Sequence, residues 1–222
     1  MEKFSRINTL IGDEKMNKIL NSKVAIIGLG GVGGMAAIVL ARSGVSNLVI
    51  QDFDIINESN INRQVIANSK TIGLYKTDVL EQMILDINPN CKITKIQERY
   101  DSNSNLDSYE LDYVIDAIDQ FDSKMALIVH CLNSNIPIIS SMGTAKKFDT
   151  SLLKVTTLEK TTYDPLAKKA RKYLRDLNLS QKLTVISSTE QPVDCEKLGS
   201  YMPVTSYAGI LLADYVLKQI IK

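Results

Sequence analysis

The chain of 222 residues is long enough for one domain with a full hydrophobic core, or for one domain with an appendage. Apolar residues make up 45% and charged residues 23%, which is typical of a soluble globular protein, and the net charge of +1 gives no overall signal of nucleic-acid binding. No apolar run approaches the ~20 residues that span a bilayer, and the polar N-terminus lacks the pattern of a signal peptide, so we expect a cytoplasmic protein without a membrane segment.

Runs rich in valine and isoleucine alternate with helical patterns along the chain, after about twenty residues that also look ordered. The predicted strands are 23–29, 47–52, 92–96, 112–119, 136–140, 152–158 and 182–187. The predicted helices are 34–44, 74–87, 122–134, 165–177 and 203–221. This alternation predicts an α/β fold that is Rossmann-like and doubly wound, with a mostly parallel sheet and helices on both faces. We expect a single domain, in which residues 1–150 form a nucleotide-binding core and 151–222 a small C-terminal α+β extension.

The stretch "GLGGVGG" follows the first predicted strand and opens the first predicted helix. Gly28, Gly30 and Gly33 have the spacing of a phosphate-binding turn, in which the backbone approaches the ligand closely. Asp52 ends the second strand, 24 residues after Gly28, where a carboxylate can accept hydrogen bonds from ribose hydroxyls. These residues predict a nucleotide site but leave open whether the ligand is NAD or ATP.

The segment 53–73 has no clear periodicity, and long irregular loops inside compact domains are usually functional. Cations and amides accumulate at its end and at the start of the next helix. They are Asn60, Asn62, Arg63, Gln64 and Lys76. Arg and Lys can neutralise the charge that moves to pyrophosphate when an α-phosphate is attacked, whereas a nicotinamide ring requires no such cluster. The loop therefore favours ATP.

Two carboxylates close the fourth strand in "DYVIDAIDQ". Asp119 lies at the carboxyl edge of the predicted sheet, where it could hold Mg²⁺ together with phosphate oxygens. Asp116 and Asp119 could instead serve only to cap the following helix.

The series "SR", "GLGGVG", "QDFD", "NINRQ", "TIGLYK" and "DAID" resembles the adenylating enzymes related to ubiquitin activation and to molybdopterin and thiamine biosynthesis. The resemblance spans roughly residues 4–150. It implies that Gly31 contacts ATP, that Asp52 contacts the ribose with Asp54 in the same site, and that Asp119 coordinates Mg²⁺. It further implies that Asn60, Arg63 and Lys76 contact the phosphates. A homodimer is implied too, in which Arg6 reaches into the active site of the other subunit.

The second half, with "GTAKKFDTS", "YDPLAKKARKYLR" and "PVTSYAGILLA", resembles one branch of that superfamily, the tRNA threonylcarbamoyladenosine dehydratases. This resemblance implies that ATP activates the threonine carboxylate of a modified adenosine in tRNA. Attack by the carbamoyl group then closes a ring, with net loss of water. The implied cofactors are ATP and Mg²⁺, and a requirement for a monovalent cation is left open. The chain carries three scattered cysteines without a C-x-x-C pair, unlike the sulfur-carrier adenylating enzymes of the superfamily.

Residues 160–175 carry six cations and one aspartate, a local charge of +5. On a helix starting at Leu166, the cations would face outward and an apolar set inward. The inward set would be Leu166, Ala170, Tyr173, Leu174 and Leu177. The candidate tRNA contacts are Lys168, Lys169, Arg171, Lys172 and Arg175, with Lys146 and Lys147 extending the patch. A solvated helix face is the alternative. For the whole chain, the alternatives are a sulfur-carrier adenylyltransferase, an NAD-dependent oxidoreductase and a regulatory nucleotide-binding module.

Overall fold

A computed structural model describes residues 2–222, in which seven strands form one sheet. The strands are β1 (Lys23–Ile27), β2 (Asn47–Gln51), β3 (Lys92–Ile96), β4 (Tyr113–Asp116), β5 (Ile138–Ser141), β6 (Leu153–Thr157) and β7 (Thr184–Ser188). Their order across the sheet is β3-β2-β1-β4-β5-β7-β6. Neighbouring strands are parallel except β6 and β7, which are antiparallel. The predicted doubly wound, mostly parallel sheet is confirmed.

The described residues form seven α-helices, which precede, connect or follow the strands. The helices are α1 (Ser5–Ile11), α2 (Asp13–Asn21), α3 (Gly33–Ser43), α4 (Lys76–Ile87), α5 (Phe121–Asn133), α6 (Pro165–Asp176) and α7 (Met202–Ile220). All five predicted helices are present, with ends shifted by one or two residues. Helices α1 and α2 account for the ordered residues before the first strand.

Local chemistry explains where several helices begin and end. Gly44 adopts a φ of 104°, a left-handed conformation that favours glycine, and there it ends α3. Helix α6 begins with Pro165, which suits the first helical turn, and Asp164 caps it by accepting a hydrogen bond from the backbone N–H of Ala167. None of the helices described here is both long and apolar enough to cross a membrane.

Apolar layers cover the sheet on both faces. Along β1, Val24 and Ile26 belong to the layer under α3, α4 and α7, whereas Ala25 and Ile27 belong to the layer under α5 and α6. Because both faces are covered, β1 reads as a continuous apolar run rather than as an alternating one. Its carboxyl end lies between the ends of β2 and β4, at the point where the chain crosses from one half of the sheet to the other.

Residues 151–222 continue the same sheet and core. Strand β7 pairs with β5, β6 pairs with β7, and α7 packs closely against α3. The close approach depends on Gly209, since a Cβ at that position would lie 2.4 Å from the carbonyl oxygen of Val32. The C-terminal segment thereby packs directly beside the glycine turn that precedes α3.

Candidate active site

A cavity of about 980 Å³ opens at the carboxyl edge of the sheet. One half is lined by the residues that follow β1, β2 and β4, including the whole glycine turn from Gly28 to Val32 except Leu29. The other half is lined by the segment after β5 and by the residues that precede α6 and α7. The two halves are continuous, so a ligand in one can react with a ligand in the other.

The glycine turn combines tight internal packing with one open position. Gly28 has a φ of 89°, and a Cβ there would lie 2.7 Å from the carbonyl oxygen of Ala117. A Cβ on Gly33 would lie 1.8 Å from the carbonyl oxygen of Gly28, so neither glycine tolerates a side chain. Gly30 differs, because its Cβ would meet only the amide nitrogen of Gln64 at 3.8 Å. Gly30 thus leaves its space to a ligand approaching from the cavity.

Asp52 and Lys76 form the buried charged centre of the first half. The backbone N–H of Leu29 donates to Oδ2 of Asp52 at 2.7 Å, and that of Asp54 donates to Oδ1 at 2.8 Å. The Nζ of Lys76 lies 2.6 Å from Asp54 and 3.6 Å from Asp52. Burial raises the pKa of Asp52, while the Lys76 ammonium and the two backbone donors lower it. The pair presents a fixed carboxylate and an ammonium to the cavity.

The loop before α4 is ordered by its own amides. Asn60 is buried, and its Oδ1 accepts a hydrogen bond from the backbone N–H of Asn57 at 3.0 Å. Gln64 is only 5% exposed and lines the cavity, and its Oε1 has no hydrogen-bond partner among the described residues. An unpartnered buried amide beside the glycine turn can serve a bound ligand.

Arg63 is partly exposed and faces the cavity from the same loop. Its Nη1 donates to the carbonyl oxygen of Ser59 at 2.8 Å and to Oδ1 of Asn62 at 3.1 Å, which leaves the rest of the guanidinium available. A Cβ on Gly31 would lie 2.7 Å from the carbonyl oxygen of Arg63. The cationic loop therefore packs directly on the glycine turn.

The two carboxylates after β4 have different environments. Asp116 is fully buried, accepts from Oγ of Ser140, and pairs with the fully buried ammonium of Lys124 at 2.6 Å. Asp119 is exposed at the cavity, and its carboxylate has no hydrogen bond or ion pair within residues 2–222. Asp116 is committed to the interior, so only Asp119 is available to a ligand. Neither side chain caps α5.

The first residues of α6 line the second half of the cavity. The helix continues from there with exposed cations. These cations are Lys168, Lys169, Lys172 and Arg175. The expectation that every cation faces outward is wrong for Arg171, whose Nη1 donates to the carbonyl oxygens of Leu158 and Thr161 at 3.2 and 3.0 Å. Its long side chain reaches back along the helix and satisfies the carbonyl groups of the preceding turn.

The buried face of α6 is narrower than predicted, and it consists of Ala167, Ala170 and Leu174. Tyr173 and Leu177 were expected to face inward, but they are 41% and 46% exposed. Tyr173 packs edge-on against Phe121 of α5, with the ring centroids 5.8 Å apart. The prediction that Tyr173 and Leu177 belong to the inward face of α6 is therefore wrong.

The two lysines before β6, Lys146 and Lys147, differ in exposure. Lys146 is partly exposed and lines the cavity, although its Nζ donates to the carbonyl oxygen of Cys195. Lys147 is buried, and its Nζ donates to the carbonyl oxygens of Glu190 and of Tyr163, the latter at 3.2 Å. Burial lowers the pKa of Lys147. The prediction that Lys147 extends the basic surface is therefore wrong.

Arg6 lies exposed on α1 and does not line the cavity of its own chain. The described residues contain no group of three or more His, Cys, Asp or Glu side chains placed to hold a metal ion. Cys91 and Cys131 are buried, and Cys195 is partly exposed.

Comparisons with known proteins agree with this architecture. A model of the ThiF family matches residues 4–222. The tRNA threonylcarbamoyladenosine dehydratase of Bacillus subtilis is 40% identical over 195 residues, which cover 87% of this chain and 77% of the relative.

Solved structures extend the agreement to three dimensions. The Escherichia coli tRNA N6-threonylcarbamoyladenosine dehydratase in complex with AMP superposes with a TM-score of 0.95 at 30% identity, covering 99% of this chain and 94% of the other. Its complex with ATP gives a TM-score of 0.93 at 31% identity, with the same coverage. This chain belongs to the ThiF family of adenylating enzymes, within the branch of the tRNA threonylcarbamoyladenosine dehydratases.

Proposed function

We propose that this protein catalyses the ATP-dependent dehydration of threonylcarbamoyladenosine in tRNA, through adenylation of the threonine carboxylate. The observation that carries the proposal is the continuous cavity, in which the glycine turn, Asp52 and Lys76 line one half while the basic helix α6 borders the other. A nucleotide and an acyl substrate can meet there. The dehydratases from Bacillus subtilis and Escherichia coli support this assignment.

The first half of the cavity suits ATP. Gly30 leaves space for the phosphates to approach the backbone, while Gly28, Gly31 and Gly33 allow the tight packing of the turn that places it there. Asp52 accepts from the ribose hydroxyls, with Asp54 holding Lys76 beside it. The phosphate contacts that we assign are Asn60, Asn62, Arg63, Gln64 and Lys76. The two cations stabilise the charge that develops on the departing pyrophosphate.

Asp119 is the residue that would hold Mg²⁺. Its exposed carboxylate at the edge of the sheet has no other partner among residues 2–222, and Mg²⁺ typically binds through one or two carboxylates together with phosphate oxygens and water. When bound, the ion neutralises phosphate charge. Asp119 thus orients the phosphates relative to Arg63 and Lys76.

The reaction can be written without a protein nucleophile. An oxygen of the threonine carboxylate attacks the α-phosphorus, and pyrophosphate leaves with the bonding electron pair. The carbamoyl group of the same nucleoside then attacks the activated carbonyl carbon and releases a proton to solvent, and AMP leaves with the former carboxylate oxygen. Because the attacking groups belong to one substrate, proximity supplies much of the acceleration. The net result is the loss of one water from the nucleoside.

The tRNA would lie along α6. Its exposed cations Lys168, Lys169, Lys172 and Arg175 can pair with backbone phosphates, and Lys146 can add a contact at the rim of the cavity. Arg171 serves the fold instead, through its hydrogen bonds to the preceding turn.

A homodimer would complete the site. Arg6 is exposed on α1 and does not line the cavity of its own chain, which supports a role in the active site of a second copy. Mixing an Arg6→Ala subunit with an Arg63→Ala subunit should then restore part of the turnover, because one of the two mixed sites is intact. Two inactive proteins that stay inactive after mixing would contradict the shared site.

The main alternative is adenylation of a small sulfur-carrier protein by the same ATP site. Pyrophosphate release distinguishes the two, since it should require tRNA carrying the modified nucleoside and should not respond to a carrier protein with a free C-terminal carboxylate. An unmodified transcript of the same tRNA is the matched control, because it offers the same phosphates without the carboxylate.

A further inference from the structure

The residue that connects the nucleotide cavity to the basic helix is a tyrosine. Tyr163 lines the cavity, lies two residues before α6 begins at Pro165, and is 54% exposed. Its ring belongs to neither apolar layer of the core and stacks on no other aromatic ring of the described chain. Packing of the protein interior therefore gives no reason for an aromatic side chain here.

The backbone conformation at position 163 disfavours an aromatic side chain. Tyr163 has a φ of 52°, in the left-handed region that Asn and Gly occupy far more easily than a bulky residue does. A non-glycine residue in that region persists only where its surroundings hold it, and such residues cluster at functional sites.

The carbonyl group of Tyr163 and the residue that follows it are both held by hydrogen bonds. The buried ammonium of Lys147 donates to the carbonyl oxygen of Tyr163 at 3.2 Å. The next residue, Asp164, caps α6 through one carboxylate oxygen and accepts from the backbone N–H of Gly143 through the other at 2.8 Å. The ring is thus presented at the cavity by a rigid frame.

We propose that Tyr163 is a stacking platform for the purine base of the modified nucleoside. The inference rests on the proposed function and names the residue that would orient its substrate. A base taken out of an anticodon loop loses its stacking neighbours, and proteins commonly replace them with an exposed aromatic ring. Phosphates on either side of that base would meet the cations of α6, which begin at Lys168, five residues after the ring.

Three substitutions separate stacking from other roles. Tyr163→Phe keeps the ring, Tyr163→Leu keeps apolar bulk without it, and Tyr163→Asn removes it while suiting the left-handed backbone. We expect Phe to leave KM for modified tRNA within about twofold, and Leu and Asn to raise it about 10-fold or more, the size of one lost base stack. ATP affinity should stay unchanged in all three. The melting temperature of the Asn variant should equal or exceed that of the parent.

The matched control is Tyr207→Leu, because Tyr207 is an exposed tyrosine on α7 that does not line the cavity, and this change should alter none of these values. A second readout is independent of turnover. An anticodon stem-loop with 2-aminopurine at the position of the modified adenosine should lose fluorescence on binding the parent and the Phe variant, and much less on binding the Leu variant.

A parent-like KM and parent-like quenching in the Leu and Asn variants would overturn the proposal. A parallel loss of ATP affinity would also overturn it, by assigning the ring to the nucleotide. Failure of the proposed function looks different, since the parent protein itself would then dehydrate no modified tRNA.

Discussion

The ammonium of Lys76 lies between two carboxylates, 2.6 Å from Asp54 and 3.6 Å from Asp52, at the floor of the cavity. Lys76 is 6% exposed and opens α4, so its position is fixed by the fold. A buried ammonium held in this way needs little reorganisation to stabilise charge that develops on a phosphate.

Replacing Lys76 should therefore abolish most of the chemistry. We expect Lys76→Ala to lower the rate of pyrophosphate release by at least ~100-fold, because one preorganised charge is lost in the transition state. The matched control is Lys70→Ala, which removes an exposed lysine from the loop before α4 and should leave the rate unchanged. Circular dichroism would verify folding, and a folded Lys76→Ala protein with normal turnover would show that the assignment is wrong.

Two glycines of the same turn should respond differently to alanine. Gly30→Ala should fold normally and bind ATP more weakly, because its methyl group would occupy the open space beside the cavity. Gly33→Ala should be strongly destabilised, because its Cβ would lie 1.8 Å from the carbonyl oxygen of Gly28. Thermal unfolding and ATP calorimetry on both variants test this. Unchanged ATP affinity in Gly30→Ala would contradict a phosphate at that position.

The buried pair of Asp116 and Lys124 should matter for stability. Lys124→Met should cost about 3–5 kcal/mol in the free energy of unfolding, because it leaves a buried carboxylate without its partner. Adding Asp116→Leu should recover much of that loss. Lys218→Met breaks an exposed pair with Asp214 and should change stability by less than about 1 kcal/mol. Urea titrations measure all three, and equal small effects for the two lysines would refute the buried pairing.

The exposed cations of α6 should control tRNA affinity through phosphate contacts. Changing Lys168, Lys169 and Lys172 to Glu should weaken binding and reduce its dependence on salt by roughly one counterion per lost contact. Changing Lys15, Lys92 and Lys222 to Glu alters net charge equally, on exposed positions outside α6, and should have a much smaller effect. Filter binding at several salt concentrations gives the comparison. Equal effects of the two triple variants would show that the exposed face of α6 is solvated and does not bind tRNA.

Much of this architecture follows from the sequence because it depends on local signals. Each of these signals is local in the sequence. This holds for the glycine turn, for the strand before Asp52 and for the periodicity of α6. The seven strands follow from the sequence for the same reason.

Side-chain direction was harder to predict, because it depends on segments far apart in the chain. Lys146 and Lys147 are adjacent and chemically alike, yet only Lys147 is buried, because it contacts the backbone of Tyr163 and Glu190. The pairing of Lys124 with Asp116 likewise requires the geometry of the β4–α5 connection. Arg171 turned inward because free carbonyl groups of the preceding turn lay within its reach.

The most direct measurement of the central claim follows the oxygen atoms of the threonine carboxylate. Modified tRNA labelled with heavy oxygen in that carboxylate would be incubated with the protein, ATP and Mg²⁺, and the products analysed by mass spectrometry. We predict that the nucleoside loses one water and that AMP carries one heavy oxygen, since the carboxylate attacks the α-phosphate. Two results would contradict adenylation of the carboxylate. One is a dehydrated nucleoside whose lost oxygen appears in inorganic phosphate or in water, and the other is no dehydration at all.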